Sequence, residues 1–241
     1  MQSGITYKQC AELPVRINYA NTVVIDDKVY CGGGMTDHSD EDYVIYCYDS
    51  SRDNWTALPP LPVKWFGLGQ ISGKLVAIGG VKKSDHQATN ELCTYSQQSQ
   101  KWKQKIPPMP TVRWSPGVFN LQSALIVAGG YEIPTHAYTT AVEVFKPDTS
   151  QWYRTDPLPT PYQDVSVVAI GNTCYALGGP TMAHSLIKHS MLQLKISLVT
   201  LYQPIKPPTV VVLALSQRGR LCLILQPIDQ LQPCYLAVFL L

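Results

Sequence analysis

Charge is scarce in this chain. Only 15% of the 241 residues are Asp, Glu, Lys or Arg, and together they leave a formal net charge of +2. That balance gives no basis for binding nucleic acid or an anionic membrane surface. Long apolar runs are also lacking: stretches such as Val210 to Leu215 are far too short to cross a bilayer as a helix. The opening residues, MQSGITYKQ, contain no apolar core of a secretory signal, so none is expected. The seven cysteines are odd in number, scattered and without a Cys-x-x-Cys pair. A reduced, cytoplasmic protein is expected, with Cys31, Cys47, Cys93 and Cys174 serving as small apolar strand residues. No segment has helical periodicity of useful length, and neither a phosphate-binding loop nor a nucleophile elbow is present.

What is there is repetition. Four short apolar runs end in adjacent glycines: KVYCGGG, KLVAIGG, SALIVAGG and NTCYALGG. Their last glycines, Gly34, Gly80, Gly130 and Gly179, lie 46, 50 and 49 residues apart. A period near fifty is the mark of a repeat architecture. Trp55, Trp102 and Trp152 follow the diglycines at nearly constant distance, each preceded seven residues earlier by an aromatic: Tyr48, Tyr95 and Phe145. Proline clusters then follow, LPPLP, IPPMP and DPLPTP. In the second period the pattern predicts strands at about Trp65 to Ile71, Leu75 to Ile78 and Asn90 to Tyr95, with a short fourth around Trp102. Ser72-Gly73-Lys74 reads as a hairpin turn, and Val81 to Thr89 as a polar loop.

Four antiparallel strands per period, repeated radially, describe the blade of an all-β propeller. Glycines such as Gly33, Gly34, Gly79, Gly80, Gly129, Gly130, Gly178 and Gly179 let neighbouring backbones approach, while the aromatic pairs supply apolar area between stacked sheets. Over about Val15 to Gly179 the order GG, Tyr/Phe, Trp resembles the kelch repeat. The resemblance implies a kelch-type β-propeller with four clear repeats, at about 15–62, 63–110, 111–159 and 160–208. A strand at 5–9, with Tyr7 in the tryptophan place, is expected to close the ring. Repeats are assigned to 1–196. Residues 197–241 are either a divergent fifth repeat or a non-repeat tail, and the chain could also be a fragment of a larger ring. In the divergent reading Leu194 takes the aromatic place and Gln226-Pro227 the diglycine place.

Two groups of residues carry candidate chemistry. His38, His86, His136 and His184 each fall shortly after a diglycine. Loops on different blades are held too far apart for one ion, so no metal site is assigned, and His38, His86 and His136 are kept as candidate partner contacts. Arg16, Lys64 and Arg113 each follow a proline cluster, and Trp65 and Trp114 stand beside two of these cations. They are candidate contacts to an acidic peptide; the alternative is that the arginines pair within blade junctions and the tryptophans pack on neighbours. On the innermost strands only Asp164 is acidic, which gives no hydrolase pattern.

The expectation is therefore a non-catalytic protein-binding module without cofactor, presenting a loop face to a protein or peptide. Kelch resemblance implies substrate receptors of ubiquitin ligases or actin binders as models; ligase adaptors carry a further BTB domain, for which these residues leave no room. The rivals are a propeller-scaffold enzyme, of the galactose oxidase or glycosidase type, and a truncated propeller fragment.

Overall fold

A computed structural model describes residues 8–38 and 41–161, together with strands Ser166–Ile170, Thr173–Leu177, Met191–Leu194, Val210–Leu215 and Leu221–Gln226. Three four-stranded antiparallel sheets follow one another, and these are blades of a β-propeller. The first comprises Asn21–Ile25, Lys28–Gly32, Ile45–Asp49 and Asn54–Ala57. Next come Gly67–Ile71, Lys74–Ile78, Leu92–Ser96 and Lys101–Lys103. The third comprises Gly117–Leu121, Ala124–Ala128, Val142–Lys146 and Gln151–Arg154. A further sheet pairs Ser166–Ile170, Thr173–Leu177 and Met191–Leu194. There Leu194 lies opposite Cys174, as Tyr48 lies opposite Val29 and Phe145 opposite Leu125.

Local chemistry sets the turns. Ile71 pairs with Lys74 across Ser72 and Gly73, whose φ angles of 50° and 73° suit a tight hairpin turn of the mirror type. Asp26 and Asp27 do the same between the first two strands, since aspartate tolerates positive φ better than most residues. Asp53, Gln100 and Ser150 each stand two residues before a tryptophan and share φ values of 50°, 53° and 54°. The turn role read for Asp53 is thus the same device in three copies.

The three tryptophans occupy matching surroundings. Trp55 packs on Tyr48, Trp102 on Tyr95 and Trp152 on Phe145, with ring centroids 5.1, 5.0 and 5.3 Å apart. Each indole N–H donates to a carbonyl of the preceding connection: Ala11 at 3.0 Å, Pro59 at 2.8 Å and Pro107 at 2.9 Å. Ala11 therefore stands where Pro59 and Pro107 stand in later repeats. Just before it, Lys8–Gln9 pairs antiparallel with Leu221–Gln226, which pairs with Val210–Leu215. Asp164, Gly178, Gly179 and His184 lie outside the described residues.

Cores form between sheets. One joins Tyr30, Ile45 and Cys47 of the first repeat to Phe66, Leu68, Leu75 and Tyr95 of the second. Another joins Val76, Ile78 and Leu92 to Leu125, Val127 and Phe145. One sheet cannot cover both its faces, so neighbours supply the burial. Asn120 reinforces the junction: its amide donates to the Gln70 carbonyl at 2.7 Å and its side-chain oxygen accepts from the Gln70 N–H at 3.0 Å.

One expected element differs. The inner strand of the second repeat begins at Gly67, not Trp65, because Trp65 has a φ of 56° and breaks the extended run. The preceding Val63–Lys64 instead pairs with Val81–Lys82, inside what had read as a polar loop.

Candidate functional site

Short ribbons build one face of the molecule. After each proline connection the chain enters the loop face, pairs briefly with the segment that follows the diglycine, and then turns into the inner strand. The pairs are Ile17–Asn18 with Met35–Thr36, Val63–Lys64 with Val81–Lys82, and Arg113–Trp114 with Tyr131–Glu132. Ala137–Tyr138 adds a third strand to the last ribbon. The turning residues Tyr19, Trp65 and Ser115 have φ values of 59°, 56° and 47°.

The glycines enforce this geometry. A Cβ on Gly34, Gly80 or Gly130 would lie 2.1, 2.4 or 2.9 Å from the carbonyl oxygen of Asn18, Lys64 or Trp114 respectively. These contacts make Asn18, Lys64 and Trp114 equivalent positions, and Ile17, Val63 and Arg113 another set. The expected alignment of Lys64 with Arg113 is corrected by one residue. The two tryptophans therefore occupy adjacent register positions in adjacent repeats, and this shift lets them meet. Trp65 packs on Trp114 with centroids 5.2 Å apart.

The row continues. Trp114 packs on Tyr131 at 5.0 Å, and Tyr131 on Tyr138 at 5.3 Å with planes at 78°. Trp114, Tyr131 and Tyr138 are direct cross-strand neighbours, so they share one face of their ribbon. At the other end the Lys64 ammonium lies 4.3 Å from the Trp65 ring centroid, and Lys83 lies 4.9 Å from that of Tyr43. At its own ribbon the first repeat exposes Tyr19 (57%) and Met35 (50%), with Arg16 also exposed.

Arg113 is no ligand contact. Its side chain is fully buried, and its guanidinium donates to Glu143 at 2.6 Å and to the carbonyls of Gly129 and Ala141 at 2.9 and 3.0 Å. Thr111 also donates to Glu143, at 2.5 Å. Burial pulls the Arg113 pKa below its ordinary value, and the adjacent Glu143 carboxylate pushes it back. The pairing within the blade that stood as the alternative is what the structure contains.

His38, His86 and His136 are exposed on three separate loops. His86 and His136 take φ values of 57° and 50°, a turn position histidine tolerates. Among the described residues no three His, Cys, Asp or Glu side chains come close enough to hold a metal ion. A cavity of about 490 Å³ opens on the third repeat between Pro110, Thr111, Glu132, Pro134 and Arg154, and the aromatic row does not line it. Sequence reading missed Tyr19, Met35, Tyr43, Lys83, Tyr131 and Tyr138. Tyr131 directly follows Gly130, within the loops already expected to face a partner, and was legible there.

Comparison with known proteins agrees with this architecture. The kelch motif matches residues 16–62. Kelch-like protein 40 of Mus musculus is 29% identical over 154 residues, covering 63% of this chain and 24% of its own length. Kelch-like protein terF of Aspergillus terreus is 26% identical over 189 residues, covering 72% of this chain and 41% of its own. The chain thus spans well under half the length of these relatives. The solved structure of YjhT superposes with a TM-score of 0.59 at 19% identity, covering 70% of this chain and 60% of that one. Repeated glycine pairs, matched tryptophan surroundings and these similarities together identify the repeats of this chain as kelch repeats.

Proposed function

We propose that this chain is a non-catalytic binding module whose loop face holds a segment of a partner protein. The observation that carries this reading is the packed row of aromatics from Trp65 to Tyr138 on the ribbons of the second and third repeats, with Tyr19 and Met35 exposed at the corresponding ribbon of the first. Solvent-facing apolar patches with charged borders mark interaction sites. Arg16 and Lys64 border it at the first and second repeats, where an acidic residue of the partner would lie. His38, His86 and His136 rim the same face. Within this reading, a role as ubiquitin-ligase substrate receptor or cytoskeletal binder is what the kelch resemblance suggests, and the kelch-like relatives support the coarser role of a protein-binding module. The buried thiols of Cys31, Cys47 and Cys93 suit a reducing, cytoplasmic setting.

The blades are assigned to 15–62, 63–110, 111–159 and 160–208. The pairing of Lys8–Gln9 with Leu221–Gln226 supports a fifth sheet that joins both ends of the chain.

The test is affinity capture with the wild type beside an Arg16→Ala, Tyr19→Ala, Lys64→Ala variant of matched thermal stability. Partners are expected with the wild type and lost with the variant; an identical set in both would overturn the choice of face. Stoichiometric copper in the purified protein would favour an oxidase instead.

A further inference from the structure

We propose that the cavity on the third repeat binds a free α-amino acid with an apolar side chain, its ammonium on Glu132 and its carboxylate on Arg154. This goes beyond the partner surface and does not rest on it. The second repeat shows what fills the equivalent place. There the Glu91 carboxylate bridges two side chains: one oxygen lies 3.6 Å from the Lys82 ammonium, and the other accepts from the Gln104 amide at 2.7 Å. Backbone pairing identifies the matching residues of the third repeat. The Gly79 N–H donates to the Glu91 carbonyl and the Gly129 N–H to that of Ala141, so Ala141 stands for Glu91. Lys82 lies opposite Val63 and Glu132 opposite Arg113, so Glu132 stands for Lys82. Gln104 and Arg154 each stand two residues after a stacked tryptophan.

The bridging carboxylate is thus deleted, while the residues on either side of it stay polar and carry opposite charges. A cavity of about 490 Å³ opens there, within the range of small-molecule pockets. Glu132 and Arg154 both line it, and among the described residues no ion pair joins them. Arg113 and Glu143 neutralise each other at 2.6 Å. Arg154 approaches Glu143 only to 3.6 Å, with its side chain 71% exposed, so its guanidinium keeps donors for a ligand. The other walls are apolar, formed by Pro110, Val112, Pro134 and Pro157. One carboxylate spans the gap in the second repeat, so the group that replaces it here is of similar size. It presents a cation to Glu132 and an anion to Arg154. The head group of an α-amino acid carries both charges on one carbon, and the guanidinium fork matches its carboxylate. A simple anion would be repelled by Glu132, and a simple cation by Arg154.

The test is binding of L-leucine to the full chain, followed by saturation-transfer NMR. Two blocked forms are measured beside it: N-acetyl-leucine, which lacks the ammonium, and leucinamide, which lacks the carboxylate. Leucine is expected to bind saturably, with both blocked forms at least about tenfold weaker. Glu132→Gln should remove the discrimination against N-acetyl-leucine, and Arg154→Gln that against leucinamide. Ala141→Gln, whose amide can bridge the same two groups, should exclude leucine. None of these three residues is buried, so thermal unfolding of the variants should match the wild type. No saturable signal from leucine, equal binding of the blocked forms, or undiminished binding by Ala141→Gln would overturn the proposal. The capture experiment fails or succeeds separately, because Arg16, Tyr19 and Lys64 do not line this cavity.

Discussion

Removing the Glu143 carboxylate is the sharpest test of how the third repeat is held together. Both Glu143 and Arg113 are fully buried, and their contact is 2.6 Å. The second repeat puts Val63 and Cys93 in these two places, and both belong to its apolar core. An ion pair has thus replaced an apolar contact at one blade junction. Breaking a buried pair from one side costs about 3–5 kcal/mol, because the remaining charge is left desolvated. Glu143→Ala strands the Arg113 guanidinium against two carbonyls. Arg113→Met is expected to cost less, since Glu143 retains Thr111 and can draw in Arg154, which already approaches to 3.6 Å from solvent. The double variant Arg113→Met, Glu143→Leu should return to within about 1 kcal/mol of the wild type or exceed it, as buried pairs rarely outperform matched apolar packing. Urea unfolding of all four proteins at equal m-values measures this. Single losses below about 1 kcal/mol, or a double variant no better than the sum of its parts, would refute the account.

Three further outcomes are expected. Gly80→Ala should destabilise strongly, since its φ is 99° and the new Cβ would meet the Lys64 carbonyl oxygen at 2.4 Å; Gly73→Ala, with nothing within 4 Å, should cost only about 1 kcal/mol, and similar urea midpoints would contradict this. Burial pushes the Cys31 thiol up to about 12, so iodoacetamide should reach it only on unfolding, after half-buried Cys10; peptide mapping of native-state alkylation decides, and equal rates would be contrary. Asp49 is held below its ordinary 3.8, first by the Ser51 hydroxyl and then by the amides of Ser51 and Arg52. Its folded pKa is depressed, so its contribution is present above 3.8 and lost as pH falls through the lower folded value. Asp49→Asn should therefore flatten the acid limb of a Tm-versus-pH profile, and superimposable profiles would count against it.

Repetition made the blades legible, because a copied module copies its burial pattern: Trp55, Trp102 and Trp152 share partners and hydrogen bonds. The site was less legible. Arg113 and Lys64 look alike after a proline cluster, yet they fall on opposite sides of a one-residue register shift. A strand alternates its faces every residue, so that shift buries one cation and leaves the other at the surface. Tyr131 and Tyr138 carried no signal that they would line up with Trp114, since that depends on three short strands pairing in one ribbon.

By itself the sequence determined the class, the period and the residues that stack between sheets, since each follows from local pattern and from apolar area that must be covered. Tertiary structure alone decided which cation is spent inside a blade, where the inner strand of the second repeat begins, and which aromatics form a continuous row. Those outcomes depend on register between segments far apart in the chain, and register is set by how whole sheets pack, not by the residues next to each other.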